Sequence, residues 1–223
     1  MPAQDRKPDA RQGRPARISR KAIAAAALEL GLDGITLTAV AAHLGVDHSS
    51  LYRHIKDRRD MLLAAADLAI ETLKRRGRAA SWRGYVENAA ESVWALYERY
   101  PGLANAIREL DATPPAGVRA FSETVAQLET MGFSRDDAIL LLDSIMDMTI
   151  DSAIGWAQLR QASKAGRFVG DAMMQSWTEV AGTHPGLSPQ VEGMEAVMRG
   201  SPYRWWRRKL DLLLAGAATL RAG

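Results

Sequence analysis

The chain has 223 residues, enough for one large or two small domains around a buried core. Hydrophobic residues make up 47% and charged residues 25%, the balance of a soluble globular protein, and the absence of cysteine excludes disulfides, thiolate zinc sites and cysteine nucleophiles. The net charge of +3 is uneven: residues 1–60 hold 11 Lys and Arg against 7 Asp and Glu, the remainder 18 against 19, so a polyanion meets the N-terminal end first.

Residues 1–17 are rich in Arg, Pro, Gly, Asp and Gln without a hydrophobic period, and read as a flexible basic arm with no secretory signal. Ser19 is placed to cap a first helix with Ile23, Ala27 and Leu30 at i, i+4 and i+7, closed by Gly31. A second helix follows Thr36, with Leu37, Val40, Ala41 and Leu44 inward and Gly45 as the turn. A third spans roughly 48–54. Asp57 then caps a long fourth helix whose apolar side runs Met61, Leu62, Ala65, Ala66, Ala69 and Leu73, ending at the basic run Lys74, Arg75, Arg76, Gly77, Arg78. The expected units are the arm at 1–17, a helix-turn-helix domain over 18–65 with its fourth helix continuing to about 77, and a second domain over 78–223.

Trp82 to Tyr100 forms the next helix, with Tyr85, Ala89, Val93 and Leu96 on one face and Pro101-Gly102 breaking it. Short helices are expected at about 102–110 and 115–131. Ser134, followed three residues on by Asp137, resembles a capping box and opens a long helix to about Gln161. Another covers about 167–181, and a loop with His184, Pro185, Gly186 and Pro189 leads through a weakly helical stretch to a last helix at 203–221. No segment alternates like a strand, and no apolar run approaches the roughly 20 residues that cross a bilayer. The predicted class is all-α, without a membrane partner and cytoplasmic.

The third helix carries the chemistry. In GVDHSSLYRHIKDRRDM only Leu51 and Ile55 stand at core spacing, while the other side chains are nearly all donors for phosphate or base edges. Helix, glycine turn and helix form a helix-turn-helix, in which one helix braces the duplex backbone and the next enters the major groove. The stretch 18–67 resembles the DNA-binding domain of the TetR family of transcriptional regulators. The family pattern LGV-x4-LY-x-H-hydrophobic-K-x-[KR]-x-x-L is met by Leu44, Gly45, Val46, Leu51, Tyr52, His54, Ile55, Lys56 and Arg58, with Met61 in place of the last Leu.

That resemblance implies base reading by His48, Ser49, Ser50 and Arg53, of which Arg53 suits a bidentate contact to guanine. Tyr52 and His54 reach phosphates from the flanks, Lys56 and Arg58 stand where a helix N-terminus favours an anion, and Thr36 and Thr38 offer hydroxyls to the other backbone wall. Arg14 and Arg17 of the arm have two readings, minor-groove contact or plain disorder, and the run Lys74–Arg78 is either a charged helix end or a further DNA contact. His43 reads as a solvated histidine.

The resemblance also implies a helical ligand chamber and a dimer-forming helix pair in the second half. For the homodimer, helix 134–161 offers Leu141, Leu142, Ile145 and Met148, and the last helix Trp206, Leu210, Leu213, Leu214 and Ala217, with Gly155, Ala215, Gly216 and Ala218 permitting close approach. For the chamber the candidates are Trp94, Tyr97, Phe121, Met131, Met146, Trp156, Met173 and Trp177, with ordinary core packing as the competing reading. Asp143, Asp147 and Asp151 recur at i, i+4 and i+8 as a solvated stripe, as partners of Arg204, Arg207 or Arg208 across the dimer, or as the face met by a cationic ligand. His184 is the one histidine in this half, which speaks against a magnesium–tetracycline mode. No metal or cofactor is expected, and no nucleophile–base pair or phosphate loop points to an enzyme. The expectation is a one-component regulator, a ligand-responsive repressor that binds a palindromic double-stranded DNA operator as a dimer and answers to a small-molecule effector of unknown identity. A ligand-independent or protein-regulated DNA binder, or an activator, would share these features.

Overall fold

The computed structural model describes residues 18–73, 79–162 and 166–221. The basic arm with Arg14 and Arg17, and the run Lys74–Arg78, lie outside the described residues. Eleven α-helices are described, with no strands; the nearest thing to one is an isolated antiparallel bridge between Ala162 and Phe168. Helix α1 (Arg20–Leu30) starts where the Ser19 side chain accepts a hydrogen bond from the Ala22 N–H, and it buries Ile23, Ala24 and Ala27. Leu30 departs from its expected inward place. The helix ends there, and Leu32 from the following turn fills the core instead.

Thr36 caps α2 (Leu37–Leu44) through the Ala39 N–H, and Gly45 closes it in the left-handed region at φ +66. Helix α3 (His48–Leu51) is shorter than expected: residues 52–54 leave the helix in a turn held by His54 N–H to Leu51 O (2.9 Å). Asp57 then caps α4 (Arg58–Glu71), whose Met61, Leu62, Ala65, Ala66 and Ala69 are buried as their spacing predicts.

The second half holds α5 (Trp82–Arg99), α6 (Leu103–Glu109), α7 (Pro115–Thr130), α8 (Arg135–Leu159), α9 (Val169–Thr183), α10 (Ser188–Met198) and α11 (Pro202–Ala217), with short 3-10 turns at Pro185–Leu187 and Ala218–Arg221. At the start of α8, the Ser134 hydroxyl accepts from the Asp137 N–H and donates to its carboxylate. Two apolar cores result. One joins α1–α4 to Leu96, Leu103 and Ala106, so it reaches beyond α4 into α5 and α6. The other unites α5, α7, α8 and α11 around Trp206, Leu210, Ile145 and Leu128.

Several expected dimer residues are consumed by that second core. Leu141, Leu142, Ile145, Trp206, Leu210, Leu214 and Ala217 are buried within the single chain, and Met148 and Leu213 are half-buried against them. The cause is polar as well as apolar: the Trp206 indole N–H donates to the buried Thr149 hydroxyl (3.0 Å), which in turn donates to Ile145 O (2.7 Å), locking α11 onto α8. The outward side of α11 is the adjacent one, through Arg208, Lys209, Leu212 and Gly216, with Leu212 76% exposed.

Backbone groups take part in two of the joints that fasten the first four helices to the rest. The turn between α1 and α2 sits on the turn between α5 and α6, where the Leu32 N–H donates to Pro101 O (3.0 Å) and Asn105 Nδ2 donates to the Asp33 carboxylate (3.3 Å). From α4, the Asp67 carboxylate accepts the Ala116 N–H (2.6 Å) in the first turn of α7, a cap that the local Pro114 has no side-chain acceptor to supply.

Candidate nucleic-acid interface and ligand chamber

Four residues of helix have no stability of their own, so α3 exists only because Leu51 and Ile55 are 0% and 2% exposed and pinned in the first core. That anchoring decides what faces outward. His48, Ser49, Tyr52, Arg53 and Lys56 are exposed together with Thr36 and Thr38 from the start of α2, while Ser50 and His54 are half-buried. Tyr52 meets the edge of His48 at 5.2 Å between ring centres, with the rings perpendicular. The Tyr52 hydroxyl and the Arg53 guanidinium have no hydrogen-bond or ion-pair partner among the described residues, and the Lys56 ammonium lies in the field of the Asp60 carboxylate. The Thr36 oxygen already accepts from the Ala39 N–H, leaving its O–H to donate outward.

Arg58 has a different employment from the one expected. Its Nε donates to Ile35 O (2.9 Å) and its Nη1 pairs with Glu109 of α6 (2.6 Å), which makes the guanidinium a brace between the α1–α2 turn and α6. Next to it, Arg59 pairs with Asp111 (3.3 Å). His43 is exposed and pairs with Glu29 (3.1 Å).

A clamp that sequence reasoning missed holds the turn after α3. The Asp60 carboxylate receives both Nη atoms of Arg20, one at 2.8 Å, and the Lys56 backbone N–H at 2.8 Å, while Arg20 Nη1 also reaches His54 O (3.4 Å). The side-chain hydrogen bond from Arg20 holds the Asp60 carboxyl below the usual carboxylate range. A depressed carboxylate contributes stability above its unfolded value of about 4 and loses it as the pH falls through the lowered value. Asp60→Asn is therefore expected to cost about 0.5–1 kcal/mol at neutral pH, because Arg20 is 45% exposed and the pair is screened. Urea titrations at pH 7 and pH 3 test this. The gap between variant and parent should narrow in acid, and an equal gap at both values would count against the clamp.

Between α4, α5, α6, α7 and α8 lies a cavity of about 1580 Å³. Of the expected ligand residues, Tyr97, Phe121, Met131 and Met146 line it. The other four do not. Trp94 stacks on Trp206 at 4.8 Å inside the second core, Trp156 is buried in the same core, and Met173 and Trp177 are exposed on α9. Trp177 instead borders a smaller groove of about 440 Å³ with Val180 and Leu187.

The lining that was not foreseen comes from α5. Its Tyr85–Ala89–Val93–Leu96 stripe faces the cavity, together with Asn88 and Ser92, while Val86, Ala90 and Trp94 form the core face. Burial pushes the Tyr97 phenol up to about 12, so it stays a neutral hydroxyl. The aspartate stripe is partly resolved as well: Arg108 of α6 pairs with Asp151 (2.7 Å) and Asp147 (3.3 Å), whereas Arg207 is taken by Glu87 and Glu91. His184 lies at the end of α9, against Thr183. Among the described residues no cluster of metal-binding side chains occurs, and no helix is long and apolar enough to cross a membrane.

Comparison with known proteins agrees on the kind of molecule. The model of the tetracyclin repressor-like C-terminal domain matches residues 76–221. The tetracycline repressor protein class C of Escherichia coli is 29% identical over 216 residues, covering 92% of this chain and 93% of its own. The class D repressor of Escherichia coli is 26% identical over 202 residues, covering 83% and 89%. Among solved structures, the TetR family protein ActR of Streptomyces coelicolor in complex with actinorhodin superposes with a TM-score of 0.74 at 18% identity, covering 93% of this chain and 98% of that one.

Proposed function

This chain belongs to the tetracycline-repressor-like, or TetR, family of transcriptional regulators, and we propose that it works as a homodimeric repressor in the cytoplasm, gripping a palindromic DNA operator and releasing it when a small molecule fills the chamber. It is a DNA-binding regulator and not an enzyme. The observation that carries the finer reading is the exposed edge of α3 and of the turn that follows it: His48, Ser49, Tyr52, Arg53 and Lys56 are exposed together, and the Arg53 guanidinium has no partner among the described residues.

Pairing is supported by the outer stripe of α11. Leu212 is the most exposed large apolar side chain described, and a Cβ added to Gly216, or to Gly155 on α8, would meet nothing within 4 Å. Small residues and an uncovered leucine on helices already packed together suit a four-helix interface with a second copy, which would set two α3 heads at the spacing of successive major grooves.

Release is supported by the two-sided position of α6. Ile107, Arg108 and Leu110 line the chamber, while Gly102, Asn105 and Glu109 hold Asp33 and Arg58 of the reading domain. A guest that displaces α6 thereby shifts the reader. It acts as an effector only so far as it binds the released arrangement more tightly than the DNA-bound one.

The test begins with selection of operator sequences from a random duplex library. Arg53→Ala is expected to weaken binding to the selected sequence by about 1–3 kcal/mol, or roughly 5- to 150-fold, while binding to unrelated DNA changes far less. Undiminished operator affinity in Arg53→Ala, measured by fluorescence anisotropy, would refute the assignment of α3 as the reading head.

A further inference from the structure

The chamber's charges restrict what it can take. Among the described residues its lining includes two cationic side chains, Arg108 and Arg119, and four carboxylates, those of Glu71, Glu123, Asp143 and Asp147. Both arginines are already matched. Arg108 lies between Asp147 (3.3 Å) and Asp151 (2.7 Å), and Arg119 faces Glu71 (3.6 Å). An anionic guest would have to draw a guanidinium away from its carboxylates, leaving those uncompensated beside a largely apolar cavity.

A cation meets the opposite situation. Asp143 stands one helical turn before Asp147 on the α8 wall, and its carboxylate has no partner among the described residues. The same cavity presents the rings of Tyr85, Tyr97 and Phe121, whose faces carry the negative potential that attracts ammonium and iminium groups. The Tyr97 hydroxyl, neutral and without a hydrogen-bond partner among the described residues, adds a polar contact on the α5 wall. At about 1580 Å³ the space exceeds the roughly 300–1000 Å³ of ordinary drug-sized sites, so a guest of several fused rings has room.

We infer that the effector is a bulky aromatic cation, with its rings against Tyr85, Tyr97 and Phe121 and its charge answered by Asp143. This rests on the reading of the chamber as the effector site and names the chemical class that the site selects.

The experiment uses the full chain and two dyes that share the xanthene ring system, cationic rhodamine 6G and anionic fluorescein, with neutral Nile red as a third probe. Dye binding is followed by anisotropy, and operator release by gel shift in the same samples. Rhodamine 6G is expected to bind at least about ten times more tightly than fluorescein. Asp143→Asn should weaken rhodamine 6G by about five- to tenfold and leave Nile red unchanged, and Asp143→Glu should restore the cation. Circular dichroism on each variant separates lost binding from lost fold. Fluorescein binding as tightly as rhodamine 6G, or an Asp143→Asn chain that keeps the full preference for the cation, overturns the inference. Failure of the unaltered chain to hold any operator overturns the regulator reading instead, while the dye preference still measures the charge selectivity of the chamber.

Discussion

Gly102→Ala is expected to unfold about 10 °C below the unaltered chain, a loss of about 3–4 kcal/mol. Two penalties act at once. Gly102 sits at φ +81, a left-handed conformation that costs an L-residue about 1–2 kcal/mol. A Cβ there would also lie 2.5 Å from the Asp33 backbone nitrogen and 2.7 Å from its carboxylate oxygen. The nearer atom is backbone, so no side-chain rotation relieves the clash, and the α1–α2 turn must lift away from the α5–α6 turn. That movement also strains the Leu32 N–H to Pro101 O bond that joins the two turns. Thermal unfolding by circular dichroism measures the effect. A midpoint within about 2 °C of the parent would show that this contact is not tight in solution. Alanine at Gly34, at φ +66 but with open space for the added methyl, serves as the control that isolates the conformational penalty from the clash.

Leu212→Asp is expected to leave the fold intact and to convert the proposed dimer into a monomer, with operator affinity reduced by at least about 100-fold. The side chain is 76% exposed in the single chain, so folding asks little of it. In a twofold pair each copy contributes the same residue, and two aspartates would be desolvated near the symmetry axis without partners. Losing the pair uncouples the two reading heads, and with them the avidity of about 10²–10⁴ that simultaneous half-site binding supplies. Light scattering coupled to size exclusion gives the mass, and anisotropy gives the affinity. A Leu212→Asp chain that remains dimeric would move the interface to another surface, with the hairpin of α9 and α10 as the next to test.

Much of the helical layout was legible because capping and periodicity are local. Ser19, Thr36, Asp57 and Ser134 each begin a helix as their side chains predict, and Gly45 ends one. What sequence could not assign was the direction of a stripe on a helix with more than one apolar side. In α5 the stripe of Tyr85, Ala89 and Val93 was legible as one face, but not that this face borders the chamber, and the core face carries Trp94, a residue whose type suggested a ligand contact. In α11 the strongest apolar stripe belongs to the interior, and the outward one is marked only by Leu212 and the glycine beyond it.

Long-range polar contacts were equally hidden. Arg58 fits the family motif as a cation at a helix start, yet Glu109, 51 residues away, pairs with it. Arg20 and Asp60, 40 residues apart, gave no spacing signal for the clamp they form. Pairing across such distances depends on how α1, α4 and α6 come to lie side by side, which no local pattern encodes.

The length of α4 sets the sensitivity of any signal that passes along it. Fourteen residues make a rod of about 21 Å, so pivoting it by about 5° around its C-terminal end, beyond the Asp67–Ala116 contact, would carry the opposite tip through about 2 Å. Two such tips moving apart in a pair would misplace the heads by about 4 Å against a groove repeat of about 34 Å. On the proposed mode of release, a guest would need to deform its own surroundings only slightly, since the rod would magnify a small strain into a mismatch that a stiff double helix does not follow.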